Sequence, residues 1–149
     1  MQKKSGFKRE VQYRIPTVEE YQQLRRTTGW STLADEVVET ALSNSLFSVC
    51  VLHKGTIIGT GRVIGDGGAY FYIQDVIVLP AYQKMGVGLL IMEAVEDWLK
   101  KQAPPNAFIG LMAAAGVKRF YKKFGYQVRE AEKPGMYKTV LPNNKKHNT

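Results

Sequence analysis

The stretch from Asp75 to Leu99, DVIVLPAYQKMGVGLLIMEAVEDWL, limits the folds open to this chain more than any other segment. An apolar run ends at Pro80, a polar bend follows, and then come Gly86, Gly88 and a long amphipathic run. Glu93, Glu96, Asp97 and Lys100 recur at helical spacing and mark one wet face, while Val87, Ile91, Ala94, Val95 and Trp98 form a dry one. The stretch therefore reads as strand, tight bend, helix. Glycine weakens a helix interior by about 1 kcal/mol relative to alanine, so two glycines at a helix start need a reason. A phosphate loop of the Walker type would require Gly-x-x-x-x-Gly-Lys-Ser/Thr, which is absent. The dinucleotide fingerprint would require a third glycine where Ile91 stands. What remains is glycine that lets a backbone approach a ligand and aim free N–H groups at it, helped by the helix dipole. The first acid on the helix is Glu93, past the first turn. A plain tight turn stands beside this anion-site reading, and the glycine spacing alone does not separate them.

The surrounding pattern supplies the frame. VQYRI reads as a short first strand. A helix opens at Pro16-Thr17-Val18-Glu19-Glu20 and runs through about Arg26, and ADEVVETALSNS makes a second. LFSVCVLH, TIIGTGRVIG and AYFYIQDVIV form a meander, turning at Lys54-Gly55 and at GDGG. After the long helix, AFIGLMA is a short strand and GVKRFYKKFGY a helix closed by Gly125. YQVRE and GMYKTVL read as two late strands around KPG. The order is α+β: a mixed, mostly antiparallel sheet with about four helices. The crossover from Ile73 to Leu111 gives one parallel pair. The 149 residues suit one domain, and 44% hydrophobic content suits a buried core.

Charge and cysteine usage narrow the function classes. The net charge is +8, but Lys3, Lys4, Lys8, Arg9, Lys145 and Lys146 carry most of it. Between them, 15 basic side chains face 13 acidic ones. Residues 1–9 and 142–149 read as basic tails, and the near-neutral body argues against nucleic acid as a partner. No apolar run reaches the length of a membrane span, and the basic start has no apolar segment behind it. The expected compartment is the cytoplasm, consistent with a single cysteine, Cys50, read as a core residue. Two histidines and one cysteine make no metal-ligand cluster.

Gln83-x-x-Gly86-x-Gly88 resembles the Gln/Arg-x-x-Gly-x-Gly/Ala signature of the GNAT superfamily of N-acetyltransferases, and GVKRFYKKFGY resembles that family's later helix, usually of the form fYeklGF. The resemblance covers roughly Phe47 to Tyr126. It implies a GNAT-like single domain in which acetyl-CoA lies at the parallel strand pair. It implies that the pantetheine arm pairs with Val76, Ile77 and Val78, that the Val78 N–H faces the thioester oxygen, and that Gln83, Lys84, Met85, Gly86, Val87, Gly88 and Leu89 hold the pyrophosphate. Tyr121 falls where the family keeps the general acid for the leaving thiolate; as a bare residue it reads as a core tyrosine. The usual base positions are Tyr72 and Gln74, neither a good base. Asp75 is the one carboxylate on that strand: it binds the ammonium, accepts its proton, or is structural, provided a bulge re-aims it. The asparagine common in relatives seven residues before the tyrosine is Ala114 here. Trp30 and Tyr72 are candidates for the acceptor pocket. The expected reaction is direct acetyl transfer from acetyl-CoA to a primary amine of a small molecule, with no metal. A homodimer is one possible assembly. Alternatives are a protein or peptide amine as acceptor, or a non-catalytic module binding CoA or nucleic acid.

Overall fold

A computed structural model describes residues 7–142. The chain divides into two compact units with the boundary between Met112 and Ala113. The first unit carries five strands in consecutive order, β1 (Glu10–Gln12), β2 (Phe47–His53), β3 (Thr56–Gly65), β4 (Tyr70–Val78) and β5 (Phe108–Leu111). All neighbours are antiparallel except β4 and β5, which are parallel. α1 (Val18–Arg25) and α2 (Asp35–Ser43) precede the meander, and α3 (Val87–Gln102) makes the crossover from β4 to β5.

Local chemistry sets these elements. α1 starts with a capping box: the Glu20 N–H donates to Thr17 Oγ1 at 3.0 Å, and the Thr17 N–H donates to the Glu20 carboxylate at 2.9 Å. Arg14 pairs with the same carboxylate at 2.9 Å and holds Glu20 below its ordinary carboxylate range, with burial opposing. β2 and β3 join through Lys54 and Gly55, both at positive φ, the two-residue turn that matches strand twist. At the next turn Asp66 Oδ1 accepts from the amides of Gly68, Ala69 and Tyr70.

Both faces of the sheet are covered. Leu24 of α1 packs with Cys50, Leu52, Ile57 and Ile77. On the other face Val87, Ile91, Met92, Ala94, Val95 and Leu99 of α3 are buried, and Trp98 stacks on Phe47 at 5.4 Å. The helix lies close to β3 because two strand positions lack side chains. A Cβ built at Gly59 would fall 2.9 Å from Val87 Cγ1, and one at Gly61 would fall 2.5 Å from Ile91 Cγ2. The dry face read from the sequence is correct, with Met92 and Leu99 added.

The second unit holds α4 (Lys118–Lys122), shorter than the expected helix. Its end matches expectation: Gly125 lies at φ 94°, its N–H donates to Lys122 O, and the Tyr126 N–H donates to Tyr121 O. The two late strands are not formed; the segments YQVRE and GMYKTVL are irregular. Alternation and β-branched residues favour extended backbone, but a strand persists only with a partner to complete its ladder. Here Val128, Met136, Tyr137 and Val140 stay exposed. At the ends, residues 1–6 and 143–149 of the expected tails lie outside the described residues, whereas Phe7 to Arg9 are engaged with the folded body.

Gly61→Ala should destabilise the protein by about 1–3 kcal/mol, because the added methyl meets a β-branched side chain in a filled core. Urea unfolding measures this. Gly67→Ala, at an exposed turn, removes positive-φ freedom without overpacking and should cost less.

Candidate active site

The strand that carries the site is not straight. β4 pairs with β5 only from Tyr70↔Phe108 to Ile73↔Leu111, yet β4 continues to Val78. Gln74 to Val78 therefore run past the last rung of the parallel ladder. On the other side the β3–β4 register slips between Thr60 and Arg62. The slip centres on Asp75, whose φ is +59°, a left-handed conformation that aspartate tolerates better than most residues. The bulge changes which side chains share a face. Phe71 meets Trp98 of α3, but Asp75, an even number of residues later, meets Tyr21 of α1. Gln74 lies on the same side and donates Nε2–H to Asp75 Oδ1 at 3.0 Å, while Val76 turns toward Gly61 and the α3 side. The expected re-aiming of Asp75 by a bulge is present.

Asp75 is 4% exposed. Its Oδ2 accepts from Arg62 Nε at 2.9 Å and from Tyr21 Oη at 2.9 Å. With Gln74, three of roughly four acceptor positions on the carboxylate are filled. Arg62 also donates to Ala41 O and Ser45 Oγ at the end of α2, so one guanidinium ties β3, β4 and α2 together. Tyr21 Oη accepts from Arg25 at 3.0 Å, and burial together with Asp75 pushes its phenol up to about 12. Arg25 lies over the Trp30 ring at 5.4 Å and donates to Ser31 O. A continuous polar chain thus runs from the bulge to the loop carrying Trp30. Tyr72 is half-buried, and burial raises its phenol. Sequence reasoning missed Arg62, Tyr21 and Arg25. Arg62 left a signal, as the one charge within TIIGTGRVIG.

Downstream of β4, Gln83 donates Nε2–H to Val78 O at 3.0 Å and closes the bend onto the strand end. Lys84 and Gly86 have φ of +65° and +87°. Gly86 is the residue before α3, and no side chain caps the helix start. The first turn contains no acid. Gln83 to Gly86 and Leu89 are exposed, whereas Val87 is buried and Gly88 half-buried. The bend thus presents backbone to solvent while one side chain anchors it in the core. In the second unit Tyr121 is half-buried, its ring edge-on to Phe120 at 5.2 Å, and burial raises its phenol above the ordinary value. Among the described residues no group of three or more His, Cys, Asp or Glu is placed to hold a metal ion, and no helix is long and apolar enough to cross a membrane.

Known proteins resemble this chain in sequence and fold. A protein of unknown function from meticillin-resistant Staphylococcus aureus, described as a probable acetyltransferase, is 39% identical over a match covering 89% of this chain and 100% of its own, and superposes with a TM-score of 0.84. The uncharacterized N-acetyltransferase ycf52 of Pyropia yezoensis is 31% identical over 72% of this chain, and its ycf52-like counterpart in Prochlorococcus marinus is 34% identical over 72%. The chain spans 63% and 61% of the length of those two relatives. Residues 14–126 match the model of the Acetyltransferase (GNAT) family. With the mixed sheet, the split after Ile73 and the glycine bend at the start of α3, that match means the chain belongs to the GNAT family of acetyltransferases.

Proposed function

We propose that this protein transfers an acetyl group from acetyl-CoA to the primary amine of a small molecule. The observation that carries the reading is the bend at Gln83–Leu89. Its helix start has left-handed glycine, no side-chain cap and no acid in the first turn, and these features suit an anionic group held by main-chain N–H donors. The run of β4 from Gln74 to Val78 is paired with β3 but lies past the last rung of its ladder with β5, and that side suits an amide-bearing arm lying along it as a strand would. Val76, Ile77 and Val78 would hold that arm, and Lys84 to Leu89 the phosphates.

Acetyl-CoA supplies an activated acyl carbon. The neutral amine nitrogen forms a bond to that carbon as the carbon–sulfur bond breaks. The Val78 N–H is assigned to the charge developing on the thioester oxygen, and much of the rate comes from holding the two reactants together. Tyr121 is assigned to give its phenolic proton to the thiolate, and the proton that the nitrogen sheds in becoming an amide passes through solvent to the phenolate left behind. A phenol carries its proton at neutral pH, and burial acts in the same direction. Asp75 is assigned a positioning role: the donors on its carboxylate and its burial suit a brace for the bulge better than a group that collects a proton. Trp30 and Tyr72 are assigned to the acceptor side, where their rings suit a partly apolar amine.

Release of free thiol with a panel of amines, followed by mass spectrometry of the products, tests the reaction. Tyr121→Phe should lower kcat by about 100-fold while leaving the affinity for CoA nearly unchanged. Absence of turnover with every amine of the panel, despite CoA binding, would favour a non-catalytic module. Asp75→Asn keeps a residue that tolerates the left-handed backbone but leaves Arg62 without its carboxylate. It should destabilise the fold by about 3 kcal/mol in urea and leave the shape of the kcat/KM pH profile intact. Loss of the ascending limb of that profile with stability retained would return Asp75 to the role of base.

A further inference from the structure

The N-terminal residues next to β1 read from the sequence as part of a solvated tail, but they are seated on the glycine bend. Arg9 donates from its guanidinium to Met85 O at 2.7 Å, and this is its one hydrogen bond among the described residues. No described carboxylate pairs with it. The guanidinium also lies 3.0 Å from where a Cβ at Gly86 would fall. Arg9 is held there by a brace of rings: its guanidinium lies over Phe7 at 5.1 Å, Phe7 stacks on Tyr82 at 5.7 Å and approaches His53 at 4.9 Å. His53 Nδ1–H donates to Lys8 O at 2.7 Å and fixes the backbone between them. An ordinary surface arginine has no such brace.

The consequence follows from peptide geometry. Met85 C=O and Gly86 N–H belong to one planar unit, and in a trans peptide they point in opposite directions; the described residues contain no cis bond. A cation that holds Met85 O therefore aims Gly86 N–H the other way, and polarising the carbonyl makes that N–H a stronger donor. We propose that Arg9 is a positioning residue of the donor site: it fixes and polarises the Met85–Gly86 peptide so that Gly86 N–H is preset for a pyrophosphate oxygen. This rests on the assignment of the bend to CoA phosphates. It adds to the donor site a residue more than seventy positions upstream of the signature motif.

The test uses the full chain and two probes, CoA and pantetheine. Pantetheine carries the arm without phosphates. CoA affinity is measured by calorimetry and pantetheine affinity by NMR titration, for the native protein, Arg9→Met and Arg9→Lys, after thermal melts establish folding. Arg9→Met keeps the reach but removes donor and charge. It should weaken CoA about tenfold, the scale of one charge-assisted hydrogen bond, and leave pantetheine unchanged. Arg9→Lys, which can still donate to Met85 O, should recover part of the loss. Equal CoA affinity in the native protein and Arg9→Met would overturn the proposal, as would a parallel loss of CoA and pantetheine, which marks a general structural role. Failure of the native protein to bind CoA would overturn the donor-site assignment itself.

Discussion

Arg62 and Asp75 meet inside the protein at 2.9 Å, both largely removed from water. Two charges in such a place are costly to desolvate, and their attraction offsets that only with good geometry and further hydrogen bonds. Tyr21, Gln74, Ala41 and Ser45 supply those bonds. What the pair holds is a left-handed residue in the middle of a strand, a conformation the strand would not keep unaided. The bulge puts Gln74 and Asp75 on one side and turns Val76 to the other. It sits just past the rung where β4 and β5 part. The candidate donor groove and the loop with Trp30 both depend on this one buried carboxylate, the groove through the backbone and the loop through Tyr21 and Arg25.

A second constraint places the helix start. Gly59 and Gly61 let α3 lie against β3 with Val87 and Ile91 in contact with backbone. Val87 immediately follows Gly86, so the packing that seats the helix also seats the bend. Gln83 closes the bend from one side through Val78 O, and Arg9 does so from the other through Met85 O. The bend is thus held by the Gln83 side chain, by Met85 O and by one buried valine, and none of these contacts uses a main-chain N–H of the helix start.

The sequence made the meander, the long helix and the parallel crossover legible because each has a period and a punctuating turn. Thr56–Gly65 and Tyr70–Val78 follow from apolar runs bounded by glycine turns, and Val87–Gln102 follows from a two-faced pattern. The late strands were misread because alternation in YQVRE and GMYKTVL records only a preference for extended backbone; pairing depends on a partner that local sequence does not name. The glycine bend and Tyr121 stand out as candidates through motif spacing. The partners of Asp75 do not, since Arg62 and Tyr21 are brought to it only by folding. Arg9 was hidden for the opposite reason: in a run of basic residues near a terminus, nothing local distinguishes an engaged arginine from a solvated one.

The central claim is that the backbone at the start of α3 receives the phosphates of acetyl-CoA. A crystal structure of the protein grown with CoA tests it most directly. The account predicts pyrophosphate oxygens within hydrogen-bond distance of Gly86 and Gly88 N–H, with the pantetheine arm alongside Val76 to Val78. CoA bound elsewhere, with those amides facing only solvent, would contradict it.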